Sequence, residues 1–304
     1  MRKRLAIALS ALAGLALTFS GSAQPPSKLQ HLISLTWSED FDAFGGLSAL
    51  ELADNGRDFL AISDRMHLMQ GQLIRRDGQI TGVELSRHQS LRDAKGSNLK
   101  VWNRDSEGLA LRPDGTLYVS LESINQIWHY PTAFGPAKAL PRHPDFRKMH
   151  RNAALEALAV DGRGRLYTVP EVRPKSRPGL PLYRYSSKGW QILYYIDVQE
   201  GFDPVAADFG PDGQFYLLER KFGGIGFRSR LRRFDLGKFD PKGEHLLTTA
   251  LGQHDNLEGL SVWRDPQGQT RLTMVSDDNF KFFQRSEIVE YVLTETLAKA
   301  AATH

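Results

Sequence analysis

Carboxylate side chains recur at two places in each of five similar segments of the chain. One set lies at the start of a short apolar run, and the other follows the second β-rich run of the same segment. The first set comprises Asp105, Glu107, Glu156, Asp203, Asp255 and Glu258, and the second comprises Asp64, Glu122, Glu171, Glu219, Asp277 and Asp278. Because the chain has no cysteine, a metal site built here would have oxygen ligands, which favour Ca²⁺ before Mg²⁺ or Mn²⁺.

The five segments share one pattern: a small apolar run, a tight turn, and a β-rich run that ends near an acid. Tight turns are indicated by Pro-Asp-Gly at 113–115 and 211–213, since Pro presets φ and Gly supplies positive φ. The segments begin about 50 to 60 residues apart, which is typical of propeller blades. This repeat predicts an all-β protein, a β-propeller, rather than a β-sandwich with coincidental hairpins. The segments cover residues 46–64, 107–122, 156–171, 205–219 and 258–277.

The strands that follow each segment determine the predicted number of blades. A third strand follows every segment, and a fourth follows the first four. The fifth segment lacks a fourth strand, whereas a β-rich run at 31–38 precedes the first segment without a partner. We therefore predict five four-stranded blades closed by an N-terminal strand, which removes an exposed sheet edge. Six blades are the second choice, because residues 66–106 show two strands at most.

Strand direction brings the two acidic sets together. In a propeller the first strand of each blade begins at one face of the disc and the second strand returns to it, so the acids should surround one mouth of the channel. Two like charges ~4 Å apart cost about 4 kcal/mol at an effective dielectric constant near 20. The acids must therefore be protonated, paired with Arg or Lys, or bridged by a cation. The alternative for each acid is a structural role as a turn cap or local ion pair.

Basic loops surround the predicted acidic mouth, at 171–181, 219–230 and 277–285. An acidic centre with a basic rim suits an anionic ligand that is bridged to a cation. Three histidines in other loops predicted on the same face, His67, His150 and His254, are candidates for a general base. The alternative for each of them is an ordinary surface histidine.

The first 23 residues have the pattern of a cleaved signal peptide: a basic start, an apolar run and Gly-Ser-Ala. We expect residues 24–304 to form one domain that is periplasmic or secreted. Removing Arg2, Lys3 and Arg4 from the 39 basic residues leaves 36 against 35 acidic residues. This balance gives no support for binding nucleic acid, and no later apolar run predicts an integral membrane span. We expect a monomer with a small anionic substrate.

Three pairs of motifs connect the chain to a known family: DSEGLAL with PDGTLYVSLE, ALEALAV with LYTVPE, and NLEGLSVW with SDDNF. They resemble the phytase-like propeller family, whose members are described by an "esterase-like activity of phytase". The resemblance covers nearly the whole mature chain and implies a propeller fold, export and calcium-dependent phosphoester hydrolysis. The calcium ligands that it implies are Asp64, Glu107, Glu156, Glu219 and Glu258.

The resemblance also implies roles in substrate binding and catalysis. Arg65, Arg220 and Lys221 would hold the phosphate. A metal would polarise the phosphoryl group and lower the pKa of a bound water, and Glu107, Glu258 or His254 would accept the proton. Two alternatives stay open: a lactonase-type propeller in which one cation opens a sugar lactone, and a propeller that binds a ligand or protein without chemistry.

Overall fold

Twenty strands form five antiparallel sheets in the computed structural model, which describes residues 27–98, 105–150, 155–175 and 177–295. The predicted signal peptide lies outside the described residues. The strands, in chain order, are β1 (Leu29–Thr36), β2 (Leu47–Leu52), β3 (Asp58–Ser63), β4 (His67–Arg76), β5 (Gln79–Ser90), β6 (Ser106–Leu111), β7 (Leu117–Leu121), β8 (Gln126–Tyr130), β9 (Lys138–Ala139), β10 (Leu155–Val160), β11 (Leu166–Pro170), β12 (Leu180–Ser186), β13 (Gly189–Ile196), β14 (Asp203–Phe209), β15 (Phe215–Phe222), β16 (Phe227–Phe234), β17 (Glu244–Thr248), β18 (Asn256–Arg264), β19 (Thr270–Asp277) and β20 (Glu287–Leu293).

Each sheet is one blade of a five-bladed propeller. Blades 1 to 4 are β2–β5, β6–β9, β10–β13 and β14–β17, and blade 5 combines β18–β20 with β1. The first strands of the blades, β2, β6, β10, β14 and β18, contact one another around the centre. The prediction of five four-stranded blades is confirmed, and the six-bladed alternative is wrong.

The N-terminal strand closes the ring, as predicted. β1 pairs with β20 in antiparallel register from Leu29–Leu293 to Thr36–Glu287. Two further backbone hydrogen bonds extend the closure, from the Lys28 amide to the Leu246 carbonyl at 2.8 Å and from the Thr294 amide to the Lys28 carbonyl at 2.9 Å. Because β1 covers the outer edge of β20, blade 5 reaches four strands by pairing the two ends of the domain.

Apolar side chains pack between neighbouring blades, and small residues line the crowded centre. Between blades 4 and 5, for example, Leu218, Leu257 and Met274 are buried in one cluster. At Gly108 the first strands of blades 2 and 3 approach too closely for a side chain, since a Cβ there would lie 2.6 Å from the Glu156 carbonyl oxygen. The small residues of the sequence repeat are therefore required by the close approach of the first strands.

Candidate functional site

A β-bulge near the start of the first strand occurs in all five blades. The pairing between first and second strands shifts at the same place each time, between Leu47 and Ala49 in blade 1 and between Leu155 and Ala157 in blade 3. A bulge leaves one residue unpaired and re-aims its side chain. The residues skipped by the pairing are Ser48, Glu107 with Gly108, Glu156, Val205 and Glu258. Three of the five bulges therefore present a glutamate.

A second ring of side chains comes from the ends of the second strands, on the same face of the disc. We call this face the entry face. These residues occupy the same position in every blade. The residue just before the bulge pairs with a residue of the second strand, and the next residue along that second strand belongs to this ring. The members of the ring are Asp64, Glu122, Glu171, Arg220 and Asp277. Four blades thus place an acid here, and blade 4 places an arginine.

Carboxylates from blades 2 and 3 come close enough to share cations. Ligand oxygens of Asp105, Glu107 and Glu122 all lie within 4.8 Å of one another, and so do those of Glu122, Glu156 and Glu171. Glu122 belongs to both triads and lies between them. Among the described residues, these are the groups of three or more potential ligands whose spacing fits a metal ion.

Arg220 lies among the carboxylates and joins three blades. Its Nη1 donates to Oε1 of Glu258 and, at 2.9 Å, to Oδ1 of Asn256, while its Nη2 donates to Glu171 at 3.3 Å. The Asn256 amide also donates to Glu258 at 2.7 Å and to Asp277 at 3.3 Å. One guanidinium therefore balances part of the negative charge contributed by blades 3 and 5.

Burial and mutual repulsion raise the pKa values of the acids around this mouth. Desolvation, followed by the neighbouring carboxylates, lifts the pKa of both Glu107 and Glu156 well above the usual range. Burial raises the pKa of Glu258 to about 8 although Arg220 opposes the shift, and burial with repulsion from Asp277 raises the pKa of Asp64 to about 7. We define the acidic mouth as Asp64, Asp105, Glu107, Glu122, Glu156, Glu171, Glu258 and Asp277.

The structure brings most of the predicted ligands together but separates them into groups. Glu107 and Glu156 belong to the two triads. Asp64 and Glu258 lie close enough to other acids of the mouth for their charges to affect one another's pKa values. Neither residue belongs to a triad. The Oδ1 atom of Asp64 is buried without a hydrogen-bond partner, which leaves it available to a cation. Ligand roles for these four residues stay predictions.

Glu219 lies outside the acidic mouth, contrary to the expectation from sequence. It is fully buried and accepts four hydrogen bonds, from Nε and Nη2 of Arg230 at 2.8 and 3.0 Å and from Nε and Nη2 of Arg232 at 2.8 and 2.6 Å. The strand position equivalent to the acids of the other blades is occupied by Arg220 instead. Because side chains alternate along a strand, a shift of one residue sends Glu219 to the opposite face of its sheet.

The predicted phosphate-binding residues and general base occupy different surroundings. Arg65 stacks on Phe280, with its guanidinium carbon 3.3 Å from the ring centroid, and lowers the pKa of Asp64. Lys221 is exposed and donates to the Glu200 carbonyl at 2.6 Å. His254 is buried beside Tyr291, with Nε2 at 2.6 Å from the hydroxyl, and its Nδ1 lies 3.4 Å from Ser34. Burial lowers the pKa of His254 to about 4, and within the described residues its ring nitrogens have those two hydroxyls as hydrogen-bond partners.

Three residues of the triads were absent from the ligand set implied by family resemblance: Asp105, Glu122 and Glu171. All three belong to the two acidic sets that strand direction gathers at one face, so the sequence signal was present. The sequence did not show which of these positions bring their carboxylates close together and which keep them apart. Carboxylate oxygens, an arginine fork and a channel mouth together can bind a divalent cation and an anionic group side by side.

The fold and this acidic mouth define a class of β-propeller with an oxygen-rich candidate metal site on one face. Residues 42–280 match the model of the family described as "Phytase-like: Esterase-like activity of phytase". The chain therefore belongs to the phytase-like propeller family, and the resemblance inferred from its motifs is confirmed. No curated protein matches the chain in sequence.

Two solved structures are similar to this chain at low identity. The PQQ-bound aldose sugar dehydrogenase of Streptomyces coelicolor has 14% identity and a TM-score of 0.45, over 88% of this chain and 100% of that chain. Regucalcin of Agrobacterium tumefaciens, a calcium-binding protein, has 14% identity and a TM-score of 0.46, over 82% and 77%. Within the described residues, no helix has the length and apolar character needed to cross a membrane.

Proposed function

We propose that the protein is an exported, metal-dependent hydrolase of an anionic ester, with calcium as the cation. The observation that carries the proposal is the pair of carboxylate triads that share Glu122, next to an arginine that reaches Glu171 and Glu258. Membership of a family described by the esterase-like activity of phytase supports hydrolysis. The signal-peptide pattern of residues 1–23 supports export to the periplasm or beyond.

The donor set fits a calcium ion. Ca²⁺ takes six to eight oxygen ligands, often from carboxylates, and each triad supplies three acidic side chains. Burial and repulsion already disfavour the charged forms of Glu107 and Glu156 by raising their pKa values. A cation between them reverses that repulsion, because it favours the ionised form of every carboxylate around it.

The residues of the mouth divide the chemical tasks. When bound, a metal ion polarises the ester and lowers the pKa of a coordinated water. Arg220 can present its planar fork to an anionic oxygen of the substrate, since it lies beside the triads rather than outside the mouth. Glu258, with a pKa of about 8, can hold or accept a proton near neutral pH. Its Oε1 accepts from Arg220 and Asn256, so the transfer would use Oε2.

A calcium titration tests whether Glu122, the residue that both triads share, is a metal ligand. Purified protein, stripped on a chelating resin, should bind Ca²⁺ in titration calorimetry and melt at a higher temperature when Ca²⁺ is added. Glu122→Gln should abolish most of this effect, because it removes a ligand from both triads at once. Glu200→Gln is the matched control, since Glu200 is exposed on the entry face outside the mouth. If Ca²⁺, Mn²⁺ and Zn²⁺ all fail to bind the wild-type protein, the proposal is wrong.

Substrate screening then tests the chemistry. Calcium-loaded protein should hydrolyse phosphomonoesters, and Glu122→Gln should lose the activity while Glu200→Gln keeps it. Hydrolysis of sugar lactones alone would identify a lactonase-type propeller instead. Calcium binding without hydrolysis of phosphomonoesters, carboxyl esters or lactones would identify a binding module.

A further inference from the structure

A pocket of about 480 Å³ opens on the entry face beside the acidic mouth. One wall contains Lys148 and Met149, which follow blade 2, and the other contains Val172, Arg173, Pro174 and Lys175 of blade 3. Val172 directly follows Glu171, a member of the second triad. The pocket therefore adjoins the candidate metal site, and its lining differs sharply in charge from that site.

The first wall is held in place by buried anchors. A short 3-10 helix, Phe146–Lys148, carries Lys148 at its end. Its Phe146 is buried and packs edge-on against Tyr183 and Trp190, with ring centroids 5.0 Å apart in both pairs. The Asn125 amide donates to the Met149 carbonyl at 3.1 Å. Lys148 and Met149 are thus presented by a packed turn.

The second wall is tied to the first by an ion pair. Arg177 donates from Nε and Nη2 to the two carboxylate oxygens of Asp145 at 2.9 and 3.0 Å, and the Tyr183 hydroxyl donates to the same carboxylate at 2.8 Å. Arg173 donates to the Arg177 carbonyl at 2.6 Å. Asp145 also lines the pocket, and the paired charge of Arg177 offsets the repulsion that this carboxylate would exert on an anion there.

The lining combines cationic groups with an apolar surface. Lys148, Arg173 and Lys175 are exposed and contribute three positive charges at the rim. Met149, Val172 and Pro174 supply aliphatic surface between them. A pocket of a few hundred Å³ with apolar walls and a few charged groups is typical of a small-molecule site. The ligand class that complements it is an organic anion: a carboxylate, sulfonate or phosphate on an apolar body.

We propose that this pocket binds an anionic group carried on an apolar body, and that it selects substrates of the acidic mouth with a second anionic group. The selection of substrates rests on the proposed hydrolase function, whereas the binding of the anion does not. A substrate of this class spans both sites: its ester lies at the acidic mouth, and its second charge lies between Lys148 and Lys175.

Binding is tested without any metal. Naphthalene-2-sulfonate, titrated into resin-stripped protein in a calorimeter, should bind, and Lys148→Glu with Lys175→Glu should weaken the affinity by about tenfold or more. The matched control is Arg163→Glu with Lys188→Glu, which makes the same change in net charge at exposed turns of blade 3 on the opposite face. Circular dichroism confirms folding of each variant. Equal affinity in the wild type and the pocket variant, or no binding by the wild type, overturns the proposal.

Substrate selection is tested with two esters that share a reacting group. Phenyl phosphate lacks a second charge, whereas 4-carboxyphenyl phosphate carries one. The wild type should prefer the carboxylated ester in kcat/KM, and the pocket variant should lose that preference while it still hydrolyses phenyl phosphate. An unchanged preference overturns the role in substrate selection. If neither ester is hydrolysed, the role of the pocket in selecting phosphomonoesters fails, the wider substrate screen decides the hydrolase proposal, and the calorimetric result still decides whether the pocket binds anions.

Discussion

Arg220 is the basic member of a ring whose equivalent positions in the other four blades are acidic. Its contacts with Glu258, Glu171 and Asn256 join blade 4 to the two blades beside it on the entry face. A fixed positive charge at this position does two opposite things. It attracts an anionic substrate, and it repels the cation that the triads are suited to bind.

Replacing Arg220 should therefore change two affinities in opposite directions. Arg220→Gln should tighten calcium binding by about tenfold, since one repelling charge is removed, and weaken the binding of inorganic phosphate to the calcium-loaded protein by a similar factor. Titration calorimetry measures both. Lys242→Gln, at an exposed position between β16 and β17 of the same blade, is the control and should change neither. A parallel loss of calcium and phosphate affinity would mean that Arg220 organises the ligands instead of opposing the cation.

Glu219 shows how one residue of strand register separates a structural acid from a functional one. Replacing one partner of a buried ion pair costs about 3–5 kcal/mol, and Glu219 pairs with both Arg230 and Arg232. Glu219→Gln should lower the free energy of unfolding in urea by about that amount. Calcium affinity should stay unchanged, whereas Glu171→Gln should reduce it. A large loss of calcium affinity in Glu219→Gln would return Glu219 to the ligand set.

At the scale of elements, the bulge in each first strand is the device that builds the acidic mouth. It turns Glu107, Glu156 and Glu258 toward neighbouring blades at the same height in the ring. The residue that follows the glutamate must then be small, because it lies against the first strand of the next blade. In blade 2 this residue is Gly108, whose added Cβ would lie 2.6 Å from both the Glu156 carbonyl oxygen and the Leu158 side chain.

Gly108→Ala should consequently disturb both stability and the site. Overpacking of this kind costs about 1–3 kcal/mol, and the displaced backbone belongs to two triad members, Glu107 and Glu156. We expect a lower melting temperature together with weaker calcium binding, measured by calorimetry. Gly162→Ala is the control, because no atom lies within 4 Å of its added Cβ. If Gly108→Ala kept the melting temperature of the wild type, the first strands of blades 2 and 3 would have to move apart without loss of stability, contrary to this prediction.

At the scale of the whole molecule, hydrogen bonds from backbone amides to polar side chains join neighbouring blades at the opposite mouth of the channel. The Ser261 hydroxyl accepts from the Leu52 amide at 3.0 Å, Glu51 accepts from the Leu111 amide at 3.3 Å, and Asp208 accepts from the Val262 amide at 2.6 Å. Each acceptor comes from one blade and each amide from the first strand of the next. These contacts satisfy backbone groups that the innermost strands would otherwise leave unpaired.

The acids among these acceptors make stability depend on pH. Burial and repulsion from Asp208 raise the pKa of Glu51 well above its usual range, and burial raises the pKa of Asp208 to about 7. A folded-state pKa above the unfolded one contributes stability below about pH 4, and this contribution is lost as the pH rises toward the folded pKa. The two buried acids therefore cost stability increasingly as the pH rises from 4 to 7, mainly because burial disfavours the charged forms that they adopt freely in the unfolded chain.

Glu51→Gln should remove the cost of ionising a buried acid, together with its repulsion from Asp208, and keep an oxygen to accept from Leu111. We expect its melting temperature to exceed that of the wild type by a few degrees at pH 8 and to match it at pH 4. Scanning calorimetry at both values measures the effect. Asp54→Asn, at an exposed acid of the same mouth, should show no such difference. A stabilisation that is equal at both pH values would contradict the electrostatic explanation.

The sequence by itself determined the repeat, the number of blades, the closure by the N-terminal strand and the face on which the acids gather. These features follow from local chemistry, because tight turns define hairpins and hairpins define strand direction. Only the tertiary structure decided which acids converge. Side chains alternate at every residue, and a bulge shifts that alternation, so Arg220 and Glu219 exchange the places that the repeat pattern suggests. The sharing of Glu122 between two triads, and the partners of His254, depend on contacts across blades that exist only in the closed ring.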